Sequence, residues 1–133
     1  MATRSTISIV DKEGNGKTIY CHWDGYPSNN GAILLAHYKT EAKIKKLIAL
    51  GSISSLRERV APKKGEEHSF DKPLKDVVVA YKRDRGETDV DATSFRDTPN
   101  EGEEFDYLFK GGKWYVSDHG GKFVLLTKEM TKR

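Results

Sequence analysis

Polar and apolar residues alternate over residues 6–10, which is the pattern of a half-buried β-strand. The Asn15-Gly16 pair that follows is a strong signal for a hairpin turn, and residues 18–24 predict the returning strand. Because side chains alternate along a strand, the returning strand should have two chemically different faces. One face would carry Tyr20, His22 and Asp24, and the other Cys21 and Trp23. The chain is therefore expected to begin with a β-hairpin.

Two helices are predicted after this hairpin. Pro27 suits the first position of a helix that ends near Tyr38, because that position needs no backbone N–H donor. Thr40 is a good N-cap for the second helix, and Gly51 is expected just beyond its end. The second helix has an apolar stripe, which indicates that it packs on a core. The stripe consists of Ile44, Leu47 and Ile48.

The second half of the chain predicts further strands. Residues 77–81 are apolar on both faces and indicate a central strand, whereas residues 105–109 and 114–116 predict a hairpin, and residues 123–126 a last strand. Helices and strands that are segregated along a chain are typical of an α+β fold. We therefore expect a single domain, residues 1–133, with an antiparallel sheet of about five to six strands and two short helices on one face.

Two long polar connections separate these elements, at residues 57–73 and 84–103. Loops of this length in a compact domain are usually functional or mobile, so both are candidate lids. The charged tail, residues 127–133, is expected to fray.

Composition restricts the classes of function. The 133 residues include 23 basic and 20 acidic side chains, a net charge of +3, which is too small to indicate binding of a long nucleic acid. The apolar runs are too short to span a bilayer, and the first residues lack the apolar stretch of a secretory signal. Cys21 is the sole cysteine, so no internal disulfide can form. We expect a cytoplasmic protein with no membrane segment and no cofactor.

The densest chemistry lies at residues 19–27, where a predicted strand leads through a turn into a helix. Trp23 and Tyr26 are candidates for stacking on a nucleobase; the alternatives are core packing for Trp23 and a helix staple for Tyr26. Asn29 and Asn30 lie at the predicted helix start, where free backbone N–H groups accept phosphate. Ordinary helix capping explains the same two asparagines.

Two arginine pairs are further candidates. Arg57 and Arg59 follow the second helix, and Arg83 and Arg85 follow the predicted central strand. A guanidinium group offers a planar set of donors that matches phosphate, so the two pairs could converge on one anion. The alternative is a solvated surface, where single ion pairs contribute little.

The sequence supports catalysis less well than it supports ligand binding. His22 and Asp24 could form half of a metal site or a proton-transfer pair, or simply a structural hydrogen bond. Cys21 and His22 point to opposite strand faces, which argues against a Cys–His nucleophile and favours a buried, inert thiol. We find no complete catalytic signature and predict that the protein is not an enzyme.

Several blocks of sequence resemble a family of small proteins carried by bacteriophages and prophages. They are Ala-Thr-Arg-Ser-Thr-Ile at residues 2–7, Tyr-Cys-His-Trp-Asp-Gly-Tyr-Pro at 20–27, the segment 47–56, and Tyr81 with residues 83–87. The chain is in this respect similar to the phage anti-Thoeris sponge proteins, which sequester cyclic ADP-ribose-type or cyclic nucleotide signals without catalysis.

The resemblance implies a counter-defence protein in the host cytoplasm that binds a small phosphorylated, nucleotide-derived ligand, as a homo-oligomer whose sites are closed by two subunits. Two other readings stay open. The protein could be an interaction module that inhibits a host defence protein, or a metal-dependent nuclease or phosphodiesterase that uses His22 and Asp24.

Overall fold

The computed structural model describes residues 2–99 and 102–132 and has an α+β fold with one open sheet. The elements in chain order are β1 (Ser5–Val10), β2 (Asn15–Cys21), a π-helical turn (Pro27–Gly31), α1 (Ala32–His37), α2 (Glu41–Ala49), β3 (Ile53–Ser55), β4 (Val79–Ala80), α3 (Tyr81–Arg85), β5 (Thr93–Arg96), β6 (Phe105–Lys110), β7 (Lys113–Asp118), β8 (Val124–Leu125) and a 3₁₀ turn (Met130–Lys132). The predicted fold class is confirmed.

The sheet has eight strands, where about five to six were expected. Its order is β4-β3-β2-β1-β6-β7-β8, with β5 paired to the other end of β2. Two of the short strands were not expected: β3 follows α2 directly, and β5 lies within the polar connection at residues 84–103. The sheet is also mixed: β1 pairs with β6 in parallel, and β2 with β3, whereas the other pairs are antiparallel.

The expectation of a central strand at residues 77–81 was wrong. β4 contains only Val79–Ala80, lies at the end of the sheet, and leads directly into α3 at Tyr81. Val77 and Val78 are nevertheless fully buried. An apolar run indicates burial rather than strand structure: Val78 belongs to the main core, and its N–H donates to the Arg59 carbonyl at 2.9 Å. The charged residues 82–85 then follow as a helix.

Local signals for the helices are confirmed. Pro27 occupies the first position of the π-helical turn, which continues into α1. The Lys43 N–H donates to the Thr40 hydroxyl at 3.3 Å, so Thr40 caps α2 as expected. Gly51 has φ +81° just beyond the end of α2, a conformation that glycine adopts without strain. Residues 130–132 of the tail form a 3₁₀ turn.

The main core lies between α1, α2 and one face of the sheet. It contains Ile7 and Ile19 from the sheet, Leu34 from α1, and Ile44 and Leu47 from α2. The predicted packing of both helices on one face is therefore observed. Burial of such side chains stabilises a fold by about 1.5–3 kcal/mol each.

The opposite face of the sheet has two parts, a small apolar cluster of Val10, Phe95 and Leu108 and a buried polar patch around Thr6 and Thr18. Thr6 and Thr18 both turn to this side, where the Thr6 hydroxyl donates to Asp106 Oδ1 and the Ser8 hydroxyl donates to Thr18 Oγ1, each at 2.6 Å. Burial raises the pKa of Asp106. This face is free of α1 and α2, and it forms the floor of the pocket described next.

Candidate functional site

A pocket of about 510 Å³ opens on the polar face of the sheet, and we call it the tyrosine pocket. Thr6, Thr18 and Tyr20 line it from β1 and β2. Tyr81 and Arg85 line it from α3. The rest of the lining consists of Ser52, Glu87, Asp89, Val90, Asp91, Thr93 and Glu103. This size is typical of a site for a small molecule.

Two tyrosines give the pocket its aromatic surface. The Tyr20 hydroxyl lies 2.7 Å from His22 Nδ1, which orients the ring, and the backbone N–H of Tyr20 donates to Ser52 Oγ at 3.3 Å. Burial raises the pKa of Tyr20 and of Tyr81. Both hydroxyls are therefore protonated at neutral pH, so they can donate as well as accept hydrogen bonds.

Arg85 joins the pocket to the first long connection. Its guanidinium carbon lies 4.3 Å from the centre of the Phe70 ring and 5.2 Å from that of Tyr81. Its Nε donates to Glu87 Oε2 at 2.8 Å. Phe70 belongs to the predicted lid at residues 57–73, so this segment does reach the wall of the pocket.

Carboxylates dominate the charge around the pocket. Four of them line it, against the single guanidinium of Arg85. Arg85 is paired with Glu87, and Lys82 pairs with Asp91 at 2.8 Å. Asp89 and Glu103 add two further negative charges, so the lining has more acidic than basic side chains, with Arg4 nearby as a further positive charge.

The two predicted arginine pairs do not converge. Arg57 donates to the carbonyl oxygens of Leu74 and Lys75, at 3.1 and 3.0 Å. Arg59 binds Asp76 and Glu66, and these hydrogen bonds raise the pKa of Arg59 and lower those of the two carboxyl groups. Both side chains therefore hold the connection between β3 and β4 in place.

Arg83 is likewise bound to its own protein, through the Val60 and Val78 carbonyl oxygens at 2.6 and 2.5 Å and through Asp84. Of the four predicted arginines, Arg85 is the one that reaches the tyrosine pocket.

A buried histidine cluster was not predicted as a unit. The His68 side chain is 1% exposed, its Nδ1 accepts the Leu74 N–H at 3.0 Å, and its Nε2 lies 3.2 Å from Asp84 Oδ2. Because Nδ1 accepts, Nε2 carries the proton and donates to Asp84. Burial pushes the pKa of Asp84 up, but hydrogen bonds from Arg83 and the Ala80 N–H outweigh it, and the pKa lies below its ordinary value.

The aromatic turn lies elsewhere on the surface. Trp23 is 42% exposed and Tyr26 39%, so the expectation of core packing for Trp23 was wrong. β2 ends at Cys21, and the alternation of faces ends with it. The Trp23 N–H donates to the Ser54 carbonyl, and its ring meets His22 edge-on at 4.8 Å.

The two asparagines have structural contacts. Asn30 is fully buried, and its Nδ2 donates to Ser5 Oγ at 3.2 Å and Cys21 Sγ at 3.4 Å. Asn29 Nδ2 donates to the Asp24 carbonyl at 3.2 Å and to Asn30 Oδ1. Neither side chain caps a helix, because the N-caps of the π-helical turn and of α1 are Tyr26 and Gly31, without side-chain cap hydrogen bonds, so the capping alternative was wrong. Burial raises the pKa of the Cys21 thiol to about 11, which fits the inert role.

His22 and Asp24 take different places. His22 is oriented by Tyr20, whereas Asp24 lies beyond the strand with φ +57° and its carbonyl accepts from Asn29 and Asn30. Within residues 2–99 and 102–132, no group of three or more His, Cys, Asp or Glu side chains is arranged to hold a metal ion.

Sequence reasoning missed Tyr20, Tyr81 and the pocket carboxylates as site residues. The available signal was that Tyr20 and Thr18 share the strand face that does not pack against the helices. Comparison with protein-family models, curated proteins and solved structures gives no match. No helix in the described part of the chain is long and apolar enough to cross a membrane.

Proposed function

We propose that this protein binds a small nucleotide-derived ligand in the tyrosine pocket and holds it without transforming it. The observation that carries the proposal is the composition of that pocket. Two protonated tyrosines, threonine hydroxyls, carboxylates and Arg85 converge on about 510 Å³. Aromatic rings stack on a base, and carboxylates accept hydrogen bonds from ribose hydroxyls.

Sequestration is the role that we propose for this binding. Its support is the resemblance of residues 20–27 and 83–87 to a family of small phage and prophage proteins, together with the contact between the Phe70 segment and the pocket wall. In this role the protein acts in the cytoplasm of a phage host and removes a defence signal. Closure of the site by a second copy of the chain remains part of the proposal.

A thermal-shift screen with cyclic nucleotides and ADP-ribose derivatives tests binding. A ligand at 100 times its dissociation constant adds about 2.7 kcal/mol of stability. Tyr81→Ala should abolish the shift, because it removes an aromatic wall, whereas Tyr115→Ala is a matched control outside the pocket. If no such ligand raises the melting temperature, the proposal fails.

The fate of the ligand separates sequestration from catalysis. Bound ligand is recovered after denaturation and its mass is measured. Intact ligand supports a sponge. Cleaved ligand would favour the phosphodiesterase alternative, and loss of cleavage in His22→Ala would assign it to that residue.

A second candidate function is docking on a host defence protein. Trp23 and Tyr26 favour it, because both are exposed on one short turn, and tryptophan and tyrosine are enriched among residues that dominate binding at interfaces. Trp23→Ala should then abolish co-purification of a host protein while leaving any ligand-induced thermal shift unchanged. Unchanged co-purification would remove the turn as the docking site.

A further inference from the structure

We infer that the tyrosine pocket admits the uncharged nucleoside part of its ligand and keeps phosphate groups outside. This inference rests on the proposed function and narrows the class of ligand. It reverses the sequence-based expectation that arginines would clamp a phosphate.

The distribution of charge carries the first step. Among the lining residues, Arg85 is paired with Glu87 and Asp91 with Lys82, which leaves Asp89 and Glu103 as further negative charges, while Arg4 nearby lowers the pKa of Tyr20 and opposes them in part. A phosphate that entered would bring further negative charge close to them. The opposing guanidinium is already occupied by a carboxylate at 2.5 Å.

The position of the other arginines carries the second step. Arg57, Arg59 and Arg83 donate to carbonyl oxygens and carboxylates of their own chain, so their donors are in use. Recruiting any of them for phosphate would break contacts that hold the connection between β3 and β4. A buried or half-buried acceptor left without its donor is costly, which favours the arrangement observed.

The lining itself indicates what does fit. Tyrosine rings offer stacking surfaces that suit any heterocyclic base. Carboxylates are acceptors only, so Asp89 and Glu103 match groups that donate, such as vicinal ribose hydroxyls or an exocyclic amine. The hydroxyls of Tyr20 and Tyr81 are already hydrogen-bonded to His22 and Ser54, so these tyrosines contribute mainly their rings. A nucleoside has all of these features and no negative charge.

Adenosine, AMP, ADP and ATP are suitable probes because they share one nucleoside and differ only in the number of phosphate groups. Isothermal titration at low ionic strength should show the tightest binding for adenosine and a loss of about tenfold or more from adenosine to ATP. In 1 M salt the Debye length falls to about 3 Å, so the difference should shrink.

Variants locate the effect. Asp89→Asn with Glu103→Gln should reduce the discrimination between adenosine and ATP, whereas Glu129→Gln, an exposed acid outside the pocket, should leave it unchanged. Binding that tightens with each phosphate would overturn the inference and leave the proposed function standing. If none of the four probes binds, both the inference and the proposed function fail for ligands that contain adenine. Discrimination that is unchanged in the double variant would also overturn the inference.

Discussion

His68 should be among the residues whose loss destabilises this protein most. His68→Ala removes the acceptor of the Leu74 N–H at 3.0 Å and the donor to Asp84 at 3.2 Å, both in a site where the imidazole is 1% exposed. A buried N–H left unpaired costs about 1–3 kcal/mol, and a hydrogen bond to a charged group contributes about 1.5–3 kcal/mol. Because neighbouring groups relax in part, we expect the free energy of unfolding to fall by about 2–4 kcal/mol.

Urea unfolding followed by circular dichroism measures this change, since the midpoint should move while the slope m stays constant. Two further variants separate the contributions of the two ring nitrogens to stability. In His68→Asn the amide oxygen can replace Nδ1, and in His68→Gln the amide nitrogen can replace Nε2, so each should restore part of the loss. His119→Ala is the matched control, because that ring is exposed. A stability of His68→Ala within about 0.5 kcal/mol of the wild type would refute the reasoning.

Three other predictions concern single groups. Gly16→Ala should cost about 1–3 kcal/mol in urea unfolding, because a Cβ there would lie 2.1 Å from Phe95 Cζ, whereas Gly102→Ala, with its nearest contact at 3.9 Å, should be close to neutral. Cys21 should resist a thiol reagent at pH 8 in the folded protein and react fully in urea, since its pKa is about 11; rapid labelling of the native state would contradict this. Burial raises the pKa of Asp106, so the stability that protonated Asp106 provides is present below about pH 4 and is lost as pH rises through the folded pKa. Asp106→Asn should flatten this part of the pH profile in urea titrations, and an identical profile would exclude the effect.

Local rules predicted α1 and α2 well but missed α3. The cap at Thr40 and the glycine after α2 depend on neighbours three or four residues away, so the sequence contains what is needed. The strands β3 and β5 were missed because each pairs with β2 across a long stretch of chain, and short polar strands have no local signature.

The site was harder to predict because its members come from distant segments. An arginine at the end of a helix or strand was expected to have free donors. Arg57, Arg59 and Arg83 instead donate to acceptors that lie 17 or more residues away or across the next turn. Trp23 was misplaced for a different reason. The alternation rule holds only while the strand continues, and β2 ends two residues before this side chain.

The parallel pairing of β1 with β6 has a consequence for synthesis. Thr6 contacts Asp106 across a separation of 100 residues, so β1 cannot complete its pairing until β6 has left the ribosome. At about 5–20 residues per second, the edge of β1 stays open for roughly 5–20 s after the first hairpin emerges. During that interval the strand that carries Ile7 and Ile9 has an unpaired edge, which is a site for association with other chains.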